Sequence, residues 1–277
     1  MRTIRLPSGH EMPVLGLGTW KMGELARYHE AEVTALRHGL ELGITLIDTA
    51  EMYGEGGAEK VVAEAIEGRR DQVFLVSKVY PHNASRKRMI EACERSLQRL
   101  NTDYLDLYLL HWRGSVPLAE TLEVFQTLKQ AGKIRAYGVS NFDVGDMEKV
   151  VQLPGGDAIA TNQVLYNLTR RGIEWDLLPW CRQYGMPIMA YSPVEQGRLL
   201  SHRALQAVAQ RKGVTAAQIA IAWLLNQENV IVIPKSSSPT HVEENYAALN
   251  IKLDPEDLRQ LDEAFPPPAS RVALEVL

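Results

Sequence analysis

Short runs of apolar and β-branched residues recur along the chain. They start near Leu15, Thr45, Val73, Leu105, Ala136, Ala160, Pro187 and Val230. Successive starts lie 24 to 32 residues apart, except for a last step of 43. Amphipathic stretches fill the gaps, among them residues 31–42, 85–100, 118–130 and 174–184. In the second of these, Ile90, Cys93, Leu97 and Leu100 fall at helical spacing with charged residues between them. Strand, helix and strand at this period make a βαβ unit. Eight such strands predict an α/β fold closed into a (β/α)8 TIM barrel rather than an open doubly wound sheet. Residues 4–13 predict a small N-terminal β-hairpin turning at Ser8-Gly9. The long last step has room for an extra helix over 216–226. A final helix over 255–264 begins with Asp254 as N-cap and Pro255 in the first turn. No linker divides the sequence, so residues 1–277 read as a single barrel domain, with Pro266-Pro267-Pro268 as a stiff segment near the end.

The active site of such a barrel lies at the carboxyl ends of its strands. The runs close with Gly18-Thr19-Trp20, Asp48, Lys78, His111, Ser140-Asn141, Asn162-Gln163, Tyr191-Ser192 and Lys235-Ser236. Each has an ordinary explanation alone. An Asp after a strand commonly caps a helix, and a lone Lys is commonly surface charge. Taken together they would face one mouth, and folding alone does not call for that set.

Composition narrows the function classes. Lys plus Arg is 30 and Asp plus Glu is 34, a net charge of −4, which argues against a nucleic-acid partner. The longest apolar stretch, Ile219 to Leu225, is far short of a membrane span, and the N-terminus has no apolar region of a secretory signal. Cys93 and Cys181 stand alone in helical patterns, which fits a reducing cytoplasm and excludes a disulfide scaffold.

Tyr53 lies in the loop after the second run. A tyrosine hydroxyl titrates near about 10, so it holds its proton at neutral pH and can give it to a carbonyl oxygen becoming an alkoxide. A neighbouring ammonium stabilises phenolate, so Lys78 is expected to lower the Tyr53 pKa, with Asp48 holding the lysine in place. His111 would hydrogen-bond the same carbonyl and orient it. Carbonyl reduction also needs a hydride, which no side chain supplies, so a nicotinamide cofactor is implied. The usual dinucleotide fingerprint is absent: after Gly16-Leu17-Gly18, Lys21 stands where the third glycine would. Strand ends five to eight offer another site. Ser140, Asn141 and Gln163 suit a carboxamide, and Tyr191 can stack on a ring. Lys235 and Ser236 suit phosphate, beside a helix beginning near Thr240.

The segment Asp48-Thr49-Ala50-Glu51-Met52-Tyr53-Gly54 resembles the D-T-A-x-x-Y motif of the aldo-keto reductases. Lys78 in Val76-Ser77-Lys78 and His111 in Leu109-Leu110-His111-Trp112 match that family's other catalytic positions. Gly138-Val139-Ser140-Asn141-Phe142, Asn162-Gln163 and Ile233-Pro234-Lys235-Ser236 match its cofactor-site motifs. The similarity covers nearly the whole chain and looks like the bacterial branch that reduces small aldehydes and ketoaldehydes such as methylglyoxal.

The resemblance implies an NADPH-dependent reductase of small-molecule carbonyl substrates, ketoaldehydes or keto sugars, with the cofactor extended over the barrel mouth. Tyr53 would be the general acid and His111 the orienting residue, with Lys78 and Asp48 tuning the phenol. Ser140, Asn141, Gln163, Tyr191 and Ser192 would hold the nicotinamide end. Lys235, Ser236, His241, Glu244 and Asn245 would hold the adenosine phosphate end. His241 departs from the pattern, since the family usually has Arg there. Arginine is always charged and stacks well, so the preference for NADPH is expected to be smaller than usual, with some NADH use.

Trp20 and Trp112 are expected to flank the catalytic residues as substrate-pocket walls, with Met22, Met52 and Tyr80 near the rim. The short tail after Pro268 predicts an open site, and the loop over 192–198 a short cover for the pyrophosphate. A Schiff-base aldolase using Lys78 would leave the residues on strands five to eight without a purpose. His82, His111 and Asp48 do not make the ligand set of a metal-dependent hydrolase. The remaining alternative is a cofactor-binding regulatory subunit with little turnover. No membrane partner is expected, and the chain reads as a monomer.

Overall fold

In the computed structural model, which describes Met1–Leu277, the eight apolar runs form one eight-stranded parallel sheet. Its strands are β3 (Gly16–Gly18), β4 (Leu46–Asp48), β5 (Phe74–Val79), β6 (Leu105–Leu110), β7 (Ile134–Ser140), β8 (Ile159–Leu165), β9 (Ile188–Tyr191) and β10 (Val230–Val232), neighbours in chain order. Parallel bridges Leu15–Val232 and Gly18–Lys235 bring the last strand against the first, so the sheet curls into a (β/α)8 barrel. The predicted hairpin is present as β1 (Thr3–Arg5) and β2 (Glu11–Pro13).

Helices α1 (His29–Glu41), α2 (Gly57–Ala65), α3 (Arg86–Leu100), α4 (Leu118–Gln130), α5 (Val144–Val151) and α6 (Leu177–Gln183) follow successive strands. α7 (Arg203–Lys212) and α8 (Ala216–Leu225) both fall before β10, and α9 (Pro239–Ala247) and α10 (Pro255–Ala264) after it. α3 buries Met89, Ala92, Cys93, Ser96, Leu97 and Leu100, the face its spacing predicts. α8 is apolar all round and accordingly buried, and it starts with a capping box between Thr215 and Gln218. Asp254 caps α10 as expected, accepting from the backbone N–H groups of Glu256 and Asp257.

Three boundaries differ from the sequence expectation. β8 continues past Asn162-Gln163 to Leu165. β10 stops at Val232, because Pro234 has no N–H to donate to a ladder. α6 begins at Leu177 rather than Glu174, because Asp176 turns its carboxylate onto the Leu177 N–H and caps the helix there.

Two apolar layers result. Leu46, Val76, Leu107, Leu109, Met189 and Ile231 belong to the barrel interior, and Leu6 and Met12 of the hairpin join them. The hairpin runs straight into β3, so it plugs the amino end of the barrel. Ile47, Leu75 and Val79 belong to the larger core between strands and helices. Side chains alternate along a strand. Asp48, two residues after Leu46, and Lys78, two after Val76, therefore point inward at the carboxyl end.

The segment carrying Tyr53 is pinned from two sides. Buried Glu59 on α2 accepts from Ser77 Oγ at 2.7 Å and Arg99 Nε at 2.6 Å, tying α2 to β5 and α3. On the other side, Gly23 has φ +71, and a Cβ there would lie 2.2 Å from the carbonyl carbon of Gly57, the first residue of α2. Gly23→Ala is expected to cost at least about 1–3 kcal/mol, from the left-handed backbone alone. Thermal unfolding checks this; an unchanged Tm would show that the two segments have room to separate.

Candidate active site

At the carboxyl ends of the strands lies a cleft of about 500 Å³. Asp48, Tyr53, His111, Trp20 and Trp112 line it, with Lys78 beneath. Lys78 is fully buried, and its ammonium reaches three acceptors: Asp48 Oδ2 at 2.8 Å, the Thr49 carbonyl at 3.0 Å and Tyr53 Oη at 3.1 Å. An ammonium has three N–H donors, and all are used. Because Lys78 donates to Oη, the Tyr53 proton cannot also point at the lysine. It is left to point elsewhere, and the cleft is the open direction.

Burial acts on this pair against its charges. It pushes the Tyr53 phenol up, and this outweighs the downward pull of Lys78, so the phenol titrates above its ordinary value. The expected downward pull of Lys78 on Tyr53 is present, and the desolvation of the phenol is the larger effect. Burial pulls Lys78 down, but Asp48 and Tyr53 together hold it above its ordinary value, so it stays an ammonium.

His111 is buried, and its ring lies edge-on to Tyr53 with centroids 5.8 Å apart. Its Nδ1 has no hydrogen-bond partner. A buried unpaired acceptor is less costly than a buried unpaired N–H, which favours the tautomer with the proton on Nε2. Burial, and then Lys78, lower its pKa from 6.5 to about 2. The imidazole is therefore a neutral donor. Between pH 6.5 and about 2 the unfolded chain takes up a proton here that the folded chain does not. Stability from this group is complete above pH 6.5 and falls as the pH drops below it. NMR of the His111 ring should show no protonation between pH 5 and 8; a midpoint inside that range would contradict the assignment.

Ser140, Asn141, Gln163, Tyr191, Ser192 and Lys235 line the same cleft. Tyr191 Oη donates to Asn141 Oδ1 at 3.0 Å, and Asn141 Nδ2 donates to the His111 carbonyl at 3.1 Å. Ser140 Oγ donates to the Gln163 carbonyl at 2.8 Å. Gln163 Nε2 donates to Asp48 Oδ1 at 2.8 Å. Four residues assigned to the same cofactor do not line the cleft. Ser236 Oγ is engaged with the Ser238 backbone, and His241, Glu244 and Asn245 lie on α9. Asn162 turns away as well, donating to the Phe142 carbonyl at 2.8 Å.

Around the rim the outcome is mixed. Trp20 is 36% exposed and lines the cleft, so it is not a core residue. Met52 lines it too, but Met22 is fully buried in the core. Tyr80 packs edge-on against Trp112 at 5.9 Å and does not reach the cleft. The short tail reaches the site: Val276 and Leu277 line the cleft while remaining about half exposed. Arg170 pairs with Glu275 of the tail at 2.5 Å and with Glu195 of the loop after β9 at 3.0 Å. Burial pushes the Glu195 carboxyl up, but Arg170, Arg198 and Asn167 outweigh it and hold the group below its ordinary value. Of the tail's apolar residues Val272, Leu274 and Val276, only Leu274 is partly buried, so their alternation does not mark a packed strand. Nothing in the sequence pairs Arg170 with a residue 105 positions away.

No three His, Cys, Asp or Glu side chains are grouped as a metal site. No helix is long and apolar enough to cross a membrane. The sequence profile of the Aldo/keto reductase family matches residues 14–265. Methylglyoxal reductase YeaE of Escherichia coli K12 is 52% identical, over 100% of this chain and 99% of that one. Glyoxal reductase of Bacillus subtilis strain 168 is 33% identical over 94% of this chain and 91% of its own. Among solved structures, an aldo-keto reductase from Klebsiella pneumoniae in complex with NADPH is 51% identical and superposes with a TM-score of 0.97, covering 100% of this chain and 99% of that one. This chain belongs to the aldo/keto reductase family.

Proposed function

We propose that this protein uses NADPH to reduce the carbonyl group of small aldehydes and ketoaldehydes, methylglyoxal among them, with Tyr53 as the proton donor. The observation that carries the reading is the buried Lys78 ammonium, which donates to Tyr53 Oη at 3.1 Å and is held by Asp48 at 2.8 Å. An E. coli relative named a methylglyoxal reductase and a Klebsiella neighbour holding NADPH support it.

The residues present fit such a cofactor. Gln163 lines the cleft with its Nε2 committed to Asp48, which leaves Oε1 to accept from a carboxamide N–H. Tyr191 lines the same cleft, where its ring is available for stacking. Lys235 is exposed at the cleft and supplies a cation for phosphate, with Ser236, His241, Glu244 and Asn245 beyond it. When bound, NADPH supplies the hydride.

The chain's residues do the rest. Tyr53 and neutral His111 both donate toward a carbonyl oxygen in the cleft and polarise it. Tyr53 gives up its proton as negative charge develops there. Lys78 already donates to Oη, so the phenolate forms against a cation and is stabilised without rearrangement. Trp20 and Trp112 wall the site and exclude water around a small substrate. The regulatory-subunit alternative would bind NADPH without oxidising it, and the complete Asp48–Lys78–Tyr53–His111 set argues for turnover. Both cysteines are free and buried, and burial pushes their thiols up to about 12; we read the chain as a cytoplasmic monomer.

The test is a panel of small aldehydes, ketoaldehydes and keto sugars with NADPH and with NADH. Methylglyoxal turnover with NADPH is expected, with a modest preference over NADH. Equal affinities for the two cofactors would overturn the preference. NADPH binding without oxidation by any carbonyl would overturn the reductase reading.

A further inference from the structure

Gln163 is buried, on β8, and reaches across the barrel interior to β4. Its Nε2 donates to Asp48 Oδ1 at 2.8 Å, while Lys78 Nζ takes the other oxygen, Oδ2, at 2.8 Å. The direction of this amide is fixed by chemistry. A carboxylate only accepts, so turning Oε1 toward Asp48 would set two acceptors against each other. The only other contact of Nε2 is Met189 Sδ at 3.7 Å, a weak acceptor. Oε1 therefore faces the cleft side with no donor from the chain.

We propose that Gln163 is a positioning residue for the proton donor: its amide N–H on Asp48 sets how strongly the Asp48–Lys78 pair stabilises the Tyr53 phenolate, and its free Oε1 connects that pair to a carboxamide bound in the cleft. The proposal rests on the reductase reading for its place in catalysis. A chain of hydrogen bonds then runs from the carboxamide through Gln163, Asp48 and Lys78 to Oη. Binding the cofactor and readying the acid are one connected event, because a donor on Oε1 polarises the amide and strengthens its N–H on Asp48.

The direction of the effect follows. The Gln163 N–H places partial positive charge on Asp48 and spreads its negative charge. Without it, Asp48 binds the Lys78 proton more closely and presents more negative charge to Tyr53. The phenolate then becomes less favourable.

Gln163→Met nearly conserves volume and removes both amide functions. Tyrosine labelled with ¹³C at Cζ reports the ionisation of Tyr53 in cofactor-free protein, assigned by its loss in Tyr53→Phe. Near pH 11 the phenolate-to-phenol ratio of Tyr53 is expected to fall about three-fold in Gln163→Met, equivalent to about half a pH unit. In an Asp48→Asn background the same substitution is expected to change nothing further, because the carboxylate that relays the effect is gone. At saturating NADPH the basic limb of kcat should move upward by the same amount.

A residue that only clamps the carboxamide gives a different result: the NADPH Kd rises and Tyr53 titrates as in the parent. That outcome overturns the proposal, and so does an equal shift with and without Asp48. The phenol measurement needs no turnover, so failure here is distinct from failure of the reductase reading, which is judged by the parent protein with carbonyl substrates. Retention of the parent's circular dichroism and Tm by Gln163→Met separates the effect from misfolding. Should that variant not fold, Gln163→Glu, which keeps an acceptor for the carboxamide but sets a second carboxylate against Asp48, is expected to shift Tyr53 further in the same direction. An unshifted Tyr53 there overturns the proposal equally.

Discussion

Tyr53→Phe is expected to lower kcat for methylglyoxal about 10²- to 10⁴-fold, the usual contribution of a positioned general acid. NADPH affinity should stay close to that of the parent. The hydroxyl is the only atom removed, and its one partner in the chain is Lys78 Nζ. The ring keeps its packing in the core and its edge contact with His111. Lys78 keeps Asp48 and the Thr49 carbonyl as acceptors, so the ammonium is not orphaned. Stability should change little as a result, which separates this variant from a folding defect. His111 remains as a neutral donor to the carbonyl and accounts for residual activity. Undiminished kcat would remove Tyr53 from the mechanism.

Lys78→Met is expected to damage both stability and activity. Methionine fills similar space without charge, leaving the Asp48 carboxylate 2% exposed with only the Gln163 amide on its side chain. Breaking a buried ion pair from one side costs about 3–5 kcal/mol. For a chain of this size that is on the order of 10 °C in Tm. The phenolate also loses its cation, so kcat should fall at least as far as in Tyr53→Phe. A double variant, Asp48→Asn with Lys78→Met, removes the stranded charge and should recover part of the lost Tm. Additive losses in the double variant would show that the two side chains do not act as a pair.

Much of this arrangement is legible in the sequence because a barrel strand carries two simple rules. Alternation puts Asp48 on the side of Leu46 and Lys78 on the side of Val76, and strand polarity puts both at the mouth. The spacing of the apolar runs then brings Tyr53, His111, Gln163 and Lys235 to the same end. Three things are not legible, each for a physical reason. Hydrogen bonds between distant strands, such as Gln163 to Asp48 across 115 positions, depend on barrel closure rather than on local pattern. The tail reaches the cleft because Arg170 holds Glu275, and an ion pair between a loop and a terminal segment leaves no periodic trace. The Tyr53 phenol titrates high because burial outweighs the ammonium, a balance set by depth in the fold. Met22 differs from its expected rim position for a related reason: a methionine two residues from a cleft tryptophan can turn either way, and here it fills the core.

Under the proposed function a carbonyl is reduced directly at the Tyr53 end of the cleft. The most direct measurement mixes the protein with NADPH carrying deuterium at both C4 positions and with methylglyoxal, and locates the label in the product by mass spectrometry and NMR. An alcohol with one deuterium on the former carbonyl carbon is the predicted result, while an alcohol lacking the label there, or no alcohol at all, would contradict it.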